Sequence, residues 1–530
     1  MSNNGKNSLT GAQILLNGLV DNGVDVFFAN AGTSEMHLVS AIGSNENARP
    51  VLCLFEGVVT GAADGYWRMA RKPAATLLHL GPGYANGMAN LHNAKKAFSG
   101  IVNIVGDHAT RHLKYDAPLT SDLIGHVKIH SHWFHVSNSS TDLGQAGVEA
   151  VSMAESGWGK IATVIAPANH AWEMGEPHGQ LKKPQALKNV SDKRLEEIRN
   201  LLEKPKKTAF LLGGLALQSE CTELVSEVAQ NFNASLICET FSARMERGVG
   251  RVTLERIPYF AEHAIKFLSS FEQIILVGGK DPVGFFAYPG VKSRLASEEC
   301  QVSRLVDIDE DVFDTLIRLK KLVGGGYKPI LQKAIRQEPS GSELSPSNLS
   351  IVIANEMPEN SIISDEGITC AADLFEQTKA APKHDWLSIT GGSIGQGLPV
   401  SFGASIACPS RKVIAFQADG SAMYTVQTLW SIARENADVT IVILNNKSYA
   451  ILNIELERLK VGVPNSKTLS MLDLSNPEVD WVSISHGMGI EASRATTVTE
   501  FEDQFKSAMA SSRPRLIEAM VVQKINHGYE

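Results

Sequence analysis

The sequence predicts an α/β protein made of three consecutive, doubly wound domains with mostly parallel sheets. Three observations support this prediction: a length of 530 residues, thirteen apolar strand-like runs spread over the whole chain, and helical patterns between them. A chain of this length is expected to hold several domains. Strands that alternate with helices form parallel sheets covered by helices on both faces.

Two polar, proline-containing stretches divide the predicted strands into three groups. We therefore expect domains at residues 1–185, 190–335 and 345–530. Most of the runs are short, apolar and rich in β-branched residues, as buried parallel strands are. In chain order they are VFFAN, VLCLF, ATLLHL, IVNIVGD and ATVIAP, then TAFLLGG, ASLICE, QIILVGG and SRLVDID, then SIISDEG, KVIAFQADG, VTIVILNN and PRLIEAMVV.

The composition excludes several classes of protein. The formal net charge is −8 and no basic block occurs, which argues against nucleic acid or an anionic membrane as a partner. The start of the chain has no apolar core of a signal peptide, and no apolar run is long enough to span a membrane. The six cysteines are scattered without a CxxC motif. Reduced thiols in a cytoplasmic protein are the expected state.

One βαβ unit in the third domain carries the most informative residues. Its strand, helix and second strand are predicted at 413–417, 425–436 and 439–444. Asp419-Gly420 follows the first strand and Asn445-Asn446 the second, with 24 residues between Gly420 and Asn445. Parallel strands of this kind place Asp419 and Asn446 at the carboxyl edge of the sheet, where ligands bind.

These side chains predict a metal site. A carboxylate, an amide oxygen and a nearby backbone carbonyl form a set of hard oxygen ligands that suits Mg²⁺ holding a diphosphate. The alternative interpretation is an ordinary Asp-Gly turn and an ordinary Asn-Asn loop. The occurrence of both dipeptides after apolar strands at this spacing favours the metal site.

The same stretch resembles the thiamine-diphosphate motif, Gly-Asp-Gly followed at a similar spacing by Asn-Asn. Ala418 stands where the first glycine is expected, a small change if its φ is negative. The resemblance extends over nearly the whole chain to the thiamine-diphosphate-dependent 2-keto acid enzymes, among them acetolactate synthase, benzoylformate decarboxylase and pyruvate decarboxylase. It implies a pyrimidine-binding, a middle and a diphosphate-binding domain in that order, with thiamine diphosphate and Mg²⁺ as cofactors.

Glu56 is the second key residue, in the segment FEGVVTGAADGYWRM between an apolar strand and a helix of small residues. An acidic residue at a helix N-terminus, favoured by the helix dipole, is the alternative interpretation. The segment resembles the part of the family that carries a glutamate whose carboxyl donates a hydrogen bond to N1′ of the cofactor's aminopyrimidine. Burial favours the protonated form that such a donor needs.

The resemblance also assigns cofactor-binding residues. The glycine-rich segment LSITGGSIGQGLPVSFGAS lets the backbone approach a ligand closely. Within it, Gly392 would offer its carbonyl to the 4′ amine, and Ile394 would lie under the bend of the cofactor. The metal would be held by Asp419, Asn446 and the backbone oxygen of Ser448. Gly420 and Ser421 are expected to present N–H groups to the diphosphate, and Tyr449 and Ala450 are the other residues expected to bind the cofactor.

Candidate substrate-side residues come from the same comparison with benzoylformate decarboxylase. Thr33 and His79 are expected to be catalytic, although a lone His on an apolar strand is usually a satisfied core residue. Glu455 is expected to face the pocket and to read a polar or cationic group; a solvated helix face is the alternative. The other residues expected to face the substrate are Ser34, Phe285, Phe286 and Ile451.

The resemblance implies a lyase or carboligase in which the cofactor's carbanion attacks a 2-keto acid, carbon dioxide leaves and the enamine is transferred to a second carbonyl. The chain lacks a His-His dipeptide, and Phe285 or Phe286 stands near the position of a second catalytic His. Few proton donors favour carboligation over the alternative, a decarboxylase that releases an aldehyde. An acyl-CoA lyase, a non-catalytic relative and a plain nucleotide-binding protein are the remaining alternatives.

The expected partners are small molecules, a 2-keto acid and a carbonyl acceptor, with neither nucleic acid nor membrane. In the family the active site lies between subunits, which implies a homodimer at least and commonly a homotetramer. The middle domain has no clear GxGxxG motif, so the sequence does not assign FAD.

Overall fold

A computed structural model describes residues 8–177, 183–324, 326–460 and 465–522. Residues 178–182 of the first predicted linker and residues 1–7 of the start therefore lie outside the described residues. The strands β1 to β8 are Leu9–Thr10, Val26–Asn30, Arg49–Leu52, Ala74–Leu78, Ile101–Asp107, Trp133–Val136, Ile161–Pro167 and Met174–Gly175. The helices α1 to α7 are Gly11–Asp21, Met36–Ser44, Glu56–Ala70, Leu80–Lys96, Leu123–His130, Ser140–Ala154 and Ala168–Trp172.

The middle of the chain continues this alternation. Strands β9 to β14 are Thr208–Leu212, Ser235–Cys238, Met245–Arg247, Glu255–Arg256, Gln273–Val277 and Gln301–Val306. Helices α8 to α11 are Asp192–Leu202, Ser219–Asn231, Ala261–Leu268 and Val312–Val323. Side chains of Ser191 and Asp311 cap α8 and α11 by accepting backbone N–H bonds, which explains where these helices begin.

The C-terminal third completes the set. Strands β15 to β20 are Ser361–Glu366, His384–Ser388, Val413–Ala418, Val439–Asn445, Glu491–Ala495 and Arg515–Met520. Helices α12 to α20 are Pro346–Glu356, Leu374–Gln377, Gly397–Ala407, Asp419–Ala422, Thr428–Arg434, Ala450–Leu459, Ser466–Ser470, Trp481–Gly487 and Val498–Ala510. No helix of the described residues is both long and apolar enough to cross a membrane.

The strands form three large sheets and one small one. The first sheet has the order β3-β2-β4-β5-β7-β6 and the second the order β12-β10-β9-β13-β14, and both are wholly parallel. The third has the order β11-β16-β15-β17-β18-β20-β19 and is parallel except for β11. Strands β1 and β8 form an antiparallel pair. The predicted fold class is confirmed, and each of the thirteen predicted runs overlaps a strand.

The predicted domain boundaries remain a prediction, and one strand crosses them. Strand β11 belongs to the middle of the sequence but pairs with β16 in the third sheet. A hydrophobic core that contains Phe210 of β9 and Phe416 of β17 also continues between the second and third sheets. These contacts fix the middle segment against the C-terminal one.

Helices α3 and α14 pack against each other and join the first and third sheets. A Cβ built on Gly403 of α14 would lie 1.8 Å from the Ala62 carbonyl oxygen, and one on Gly65 of α3 would lie 2.1 Å from the Val400 oxygen. Only residues without a side chain allow the two backbones to approach this closely. Because Glu56 begins α3 and the glycine-rich segment leads into α14, this packing positions two parts of the candidate site.

Candidate active site

Strands β17 and β18 bring Asp419 and Asn446 to one edge of the third sheet. The two strands are parallel neighbours with Ala418 opposite Leu444, so the residues that follow them lie side by side. Asp419 is 5% exposed, and its two carboxylate oxygens accept the backbone N–H of Gly420 and of Lys447, each at 2.8 Å. Burial raises the pKa of this carboxyl above its ordinary value. A cation beside it would counter that effect.

The loop after β18 turns back towards Asp419. Lys447 has a φ of 57°, an unusual left-handed conformation for a residue with a side chain, and its N–H donates to Asp419. Asn446 accepts the N–H of Ser448 through Oδ1 at 3.0 Å and donates through Nδ2 to Cys370 Sγ at 3.3 Å. The amide oxygen is thus held in the loop beside the carboxylate.

The donor set fits a hard divalent cation. No group of three or more His, Cys, Asp or Glu residues that could hold a metal occurs in the described parts of the chain. A metal at this edge would therefore take one carboxylate, one amide oxygen and backbone oxygen, a set that suits Mg²⁺ and lacks the nitrogen and sulfur ligands of zinc.

The short helix α15 begins directly at Asp419, so the backbone N–H groups of Gly420 and Ser421 lie at its start. A Cβ on Gly420 would lie 2.4 Å from Tyr449 Cε1, which means that the Tyr449 ring covers this glycine. Ala418 has a φ of −69°, which meets the condition under which alanine in place of glycine is a small change. Ala450, the other residue expected to bind the cofactor, begins α17.

Gly392 lies in the glycine-rich segment before α14 with a φ of 76°, a conformation that favours glycine. A Cβ there would lie 2.7 Å from Phe285 Cζ, so the structure brings these two predicted residues together. Phe285 is part of an aromatic cluster that includes Phe241, Tyr259 and Phe286, with ring centroids 5.2–5.6 Å apart. Ile394 lies two residues beyond Gly392 and is half-buried.

Glu366, which sequence reasoning did not single out, holds the same segment. It is the last residue of β15, and its two carboxylate oxygens accept the backbone N–H of Gly395 and Gly397, each at 2.5 Å. Burial raises the pKa of Glu366 to about 7, and the two N–H bonds act in the opposite direction. The only signal in the sequence was its position at the end of an apolar strand.

Helix α4 holds the glycine-rich segment from the other side. Asn93 donates to the Ser393 carbonyl at 2.7 Å, and His92 Nε2 donates to the Gly391 carbonyl at 3.0 Å. Asn90 donates to the carbonyls of Gly57 at 2.8 Å and Gly395 at 3.4 Å. His92 therefore bonds a backbone group of the candidate site.

Glu56 begins α3 and is 9% exposed. Asn86 of α4 donates to its Oε2 at 3.0 Å, and a Cβ on Gly83 would lie 3.0 Å from its Oε1. Within the described residues no hydrogen bond joins the Glu56 side chain to the C-terminal third of the chain. The described hydrogen bond to this carboxyl therefore comes from the N-terminal segment.

Thr33 and Ser34 begin a short turn of 3₁₀ helix after β2, and Glu35 follows them. Glu35 is fully buried and was not predicted; its Oε2 bonds His79 Nδ1 at 2.7 Å and accepts the Gly32 N–H at 2.8 Å. Burial raises the pKa of Glu35 above its ordinary value. His79 is thus oriented by a buried carboxyl group, and its other ring nitrogen remains available to a ligand.

Helix α17 carries the last predicted substrate residues. Glu455 Oε1 accepts hydrogen bonds from Arg458 at 2.6 Å and Tyr288 at 3.2 Å, so its charge is already paired. Its prediction as a reader of a cationic substrate remains untested, but the pairing weakens its physical basis. Ile451 is half-buried in the first turn of this helix.

Known proteins match the chain over most of its length. Residues 9–136 match the N-terminal TPP binding domain of thiamine pyrophosphate enzymes, and residues 367–519 match the C-terminal TPP binding domain. The chain is 44% identical to a Mycobacterium tuberculosis protein named "Putative acetolactate synthase large subunit IlvX", covering 97% of this chain and 99% of the relative. It is 26% identical to benzoylformate decarboxylase of Pseudomonas aeruginosa, covering 94% and 96%.

A solved structure shares the fold. The thiamine diphosphate-dependent 4-hydroxybenzoylformate decarboxylase of Rhodococcus jostii RHA1 superposes with a TM-score of 0.86, covering 97% of this chain and 100% of that one, at 22% sequence identity.

Proposed function

Since the chain belongs to the thiamine pyrophosphate enzyme family, we propose that it is a thiamine diphosphate- and Mg²⁺-dependent carboligase that decarboxylates a 2-keto acid and joins the remaining carbons to a second carbonyl compound. The observation on which this proposal depends most is the apolar surface at Gly392. Phe285 lies directly on this glycine, and Phe286 packs beside it. Neither side chain can donate a proton to a reaction intermediate, which leaves time for a second carbonyl to react.

The cofactor would be held at the carboxyl edge of the third sheet. Asp419, Asn446 and the Ser448 backbone oxygen would bind Mg²⁺, and the N–H groups of Gly420 and Ser421 would contact the diphosphate. When bound, thiamine diphosphate supplies an electron sink for the decarboxylation. The protein supplies orientation, charge and exclusion of water.

Glu56 and Gly392 would act on the pyrimidine ring. The buried Glu56 carboxyl would hydrogen-bond the ring nitrogen, while Asn86 fixes the carboxyl's orientation through its bond to Oε2. The Gly392 carbonyl would accept from the exocyclic amine. Glu366 and the three polar residues of α4 keep the segment around Gly392 in place.

The His79–Glu35 pair supports a second candidate function. A histidine held by a buried carboxyl group is a suitable proton donor or acceptor. If it delivers a proton to the carbon left after decarboxylation, the product is a free aldehyde, and the protein is a decarboxylase.

Product analysis separates the two functions. Protein supplied with thiamine diphosphate and Mg²⁺ would be given a panel of 2-keto acids with and without a second carbonyl compound, and products would be identified by mass spectrometry. A coupled product that disappears in Glu56→Gln supports the carboligase, whereas aldehyde alone supports the decarboxylase. No turnover across the panel would contradict both.

We also propose that the active site is shared between two subunits of a homodimer, with a homotetramer as the expected full assembly. This proposal follows from the resemblance to a family in which the active site lies between subunits. The test mixes two inactive variants, Glu56→Gln and Asp419→Ala, under conditions of subunit exchange.

A shared site predicts recovery of activity in the mixture. A hybrid dimer then contains one site with two altered residues and one intact site, so activity should return to about a quarter of the wild-type value. Sites built within single chains would give no recovery. Native mass spectrometry of the same mixture, with one variant carrying a tag of different mass, measures whether exchange has occurred.

A further inference from the structure

A recess beside Thr33 and Ser34 has no role in the function proposed so far. It has a volume of about 290 Å³, at the small end for a ligand site. The ends of three strands in the first sheet contribute to it: the turn after β2, the turn after β5 and the helix α7 after β7. Its lining residues are Thr33, Ser34, His108, Ala109, Arg111, His112, Ala168 and Trp172.

The polar groups of this recess are suited to an anion. It presents one guanidinium, two imidazole rings and two hydroxyl groups, and no acidic side chain lines it in the part of the chain that the structure describes. Arg111 makes neither an ion pair nor a side-chain hydrogen bond with any described residue; its guanidinium lies 5.7 Å from the Trp172 ring centroid. His108 Nε2 is buried without a hydrogen-bond partner.

Two carboxyl groups in neighbouring turns are already engaged. Glu35 bonds His79 and the Gly32 N–H, and Asp107 accepts the N–H of His108 at 2.7 Å. Neither lines the recess. The positive charge of Arg111 is therefore not neutralised by a residue of the described chain.

The recess is formed without a ligand. Asn169 of α7 accepts the Thr110 N–H at 2.9 Å and so fixes the turn after β5 against the helix. The backbone N–H of His112 donates to the Ala109 carbonyl at 2.7 Å and closes that turn. A ligand that entered would not have to order these groups, which lowers the cost of binding.

We propose that this recess binds a carboxylate group of the 2-keto acid substrate, with Arg111 as the principal contact. The inference rests on the proposed function for the identity of the ligand. The turn that supplies Thr33 and Ser34 also supplies Glu35, which bonds His79 at 2.7 Å, so a single turn connects the recess with the predicted catalytic histidine. Arginine suits this task because its planar fork of N–H donors matches a carboxylate.

The test measures binding and does not require turnover. Oxamate carries a carboxylate and an unreactive amide carbonyl in a keto acid shape, and its methyl ester lacks the charge. Both would be titrated calorimetrically into protein loaded with thiamine diphosphate and Mg²⁺. We expect oxamate to bind at least about tenfold more tightly than the ester, and Arg111→Met to weaken oxamate binding about 10- to 100-fold, the range for loss of a charge-assisted hydrogen bond.

Lys114→Met is the matched control, because it removes the same charge three residues away. Lys114 stacks on Tyr115 and does not line the recess. The affinity of Lys114→Met for oxamate should stay within about twofold of wild type, since exposed charges at a distance are screened. Arg111→Lys should keep part of the affinity. If Arg111→Met and Lys114→Met lose oxamate affinity equally, the loss comes from the change in net charge and the inference is overturned.

The outcomes distinguish this inference from the proposed function. Oxamate that does not bind wild-type protein, or that binds Arg111→Met equally well, overturns the inference even if keto acids are turned over. Binding that depends on Arg111 supports it even if the product analysis finds another reaction. If two different keto acids are the substrates, a rise in KM for only one of them in Arg111→Met identifies which carboxylate Arg111 contacts.

Discussion

Glu366→Gln should weaken cofactor binding although Glu366 is not expected to touch the cofactor. The carboxylate is 1% exposed, and both oxygens accept short backbone N–H bonds from the segment that carries Gly392. Glutamine keeps the size of the side chain but replaces one oxygen with an NH₂ group. One of the N–H groups, at Gly395 or Gly397, would then face a donor.

The structure sets the size of the effect. A hydrogen bond to a charged group contributes about 1.5–3 kcal/mol, and a buried donor left without a partner costs a similar amount. If the segment changes conformation to avoid this cost, cofactor binding must return the segment to its original conformation and pay that free energy. A loss of about 1.5–3 kcal/mol corresponds to thiamine diphosphate affinity about 10- to 100-fold below wild type.

The assay is a titration of thiamine diphosphate at saturating Mg²⁺, followed by intrinsic fluorescence. Glu376→Gln is the control, because Glu376 forms an exposed ion pair with Lys379. Burial raises the pKa of Glu366 to about 7, so the wild-type carboxylate gains a proton as the pH falls through 7. The difference between wild type and Glu366→Gln should therefore shrink below pH 7. Equal affinities at pH 8, with unchanged thermal melting, would refute the reasoning.

Three further changes test other parts of the structure. Gly420→Ala should weaken cofactor binding, because the new methyl group would lie 2.4 Å from Tyr449. If this clash is the cause, the double variant Gly420→Ala/Tyr449→Ala should bind the cofactor more tightly than Gly420→Ala in a titration. Burial lowers the pKa of His384 to about 3, so the stability that its neutral ring contributes is complete above pH 6.5 and is lost as the pH falls towards 3. Between pH 7.5 and 5, the free energy of unfolding in urea should fall by about 2 kcal/mol more for wild type than for His384→Gln. Equal falls for the two proteins would contradict this. Arg68→Met leaves the fully buried Asp64 without its cation and should cost about 3–5 kcal/mol, measured by the urea midpoint, whereas an unchanged midpoint would show that the pair contributes little.

The strands that the sequence did not predict show the limits of pattern reasoning. Strand β16, HDWLS, is fully buried but carries three polar side chains. Asp385 is paired with Arg244 and Arg411, and Trp386 Nε1 donates to Ser388. Two of these partners lie 141 and 26 residues away, so no local pattern reveals that the polar groups are satisfied.

The predicted helix at 425–436 is shorter than expected. The structure has α15 at Asp419–Ala422, a turn of 3₁₀ helix at Met423–Thr425, and α16 at Thr428–Arg434. The first of these begins at the residue expected to bind the metal. Periodicity of apolar residues indicates that a helix is present but not where a site interrupts it.

Part of the candidate site could be predicted from the sequence, because the residues that follow apolar strands are recognisable. Asp419, Asn446 and Glu56 follow strand-like runs, and the ends of parallel strands meet at one edge of a sheet. Glu35 and Asn93 were missed because their significance depends on partners 44 and 300 residues away. The importance of these side chains arises from tertiary contacts that one sequence does not display.

The way α4 holds the glycine-rich segment has a consequence for how such an enzyme diversifies. Asn90, His92 and Asn93 donate to the backbone carbonyl groups of residues 395, 391 and 393, respectively. A carbonyl group is the same in every amino acid, so these three bonds do not depend on which side chains the segment carries. Substitutions of Ser393 or Ile394 that suit another pocket would therefore leave these three bonds to the backbone in place.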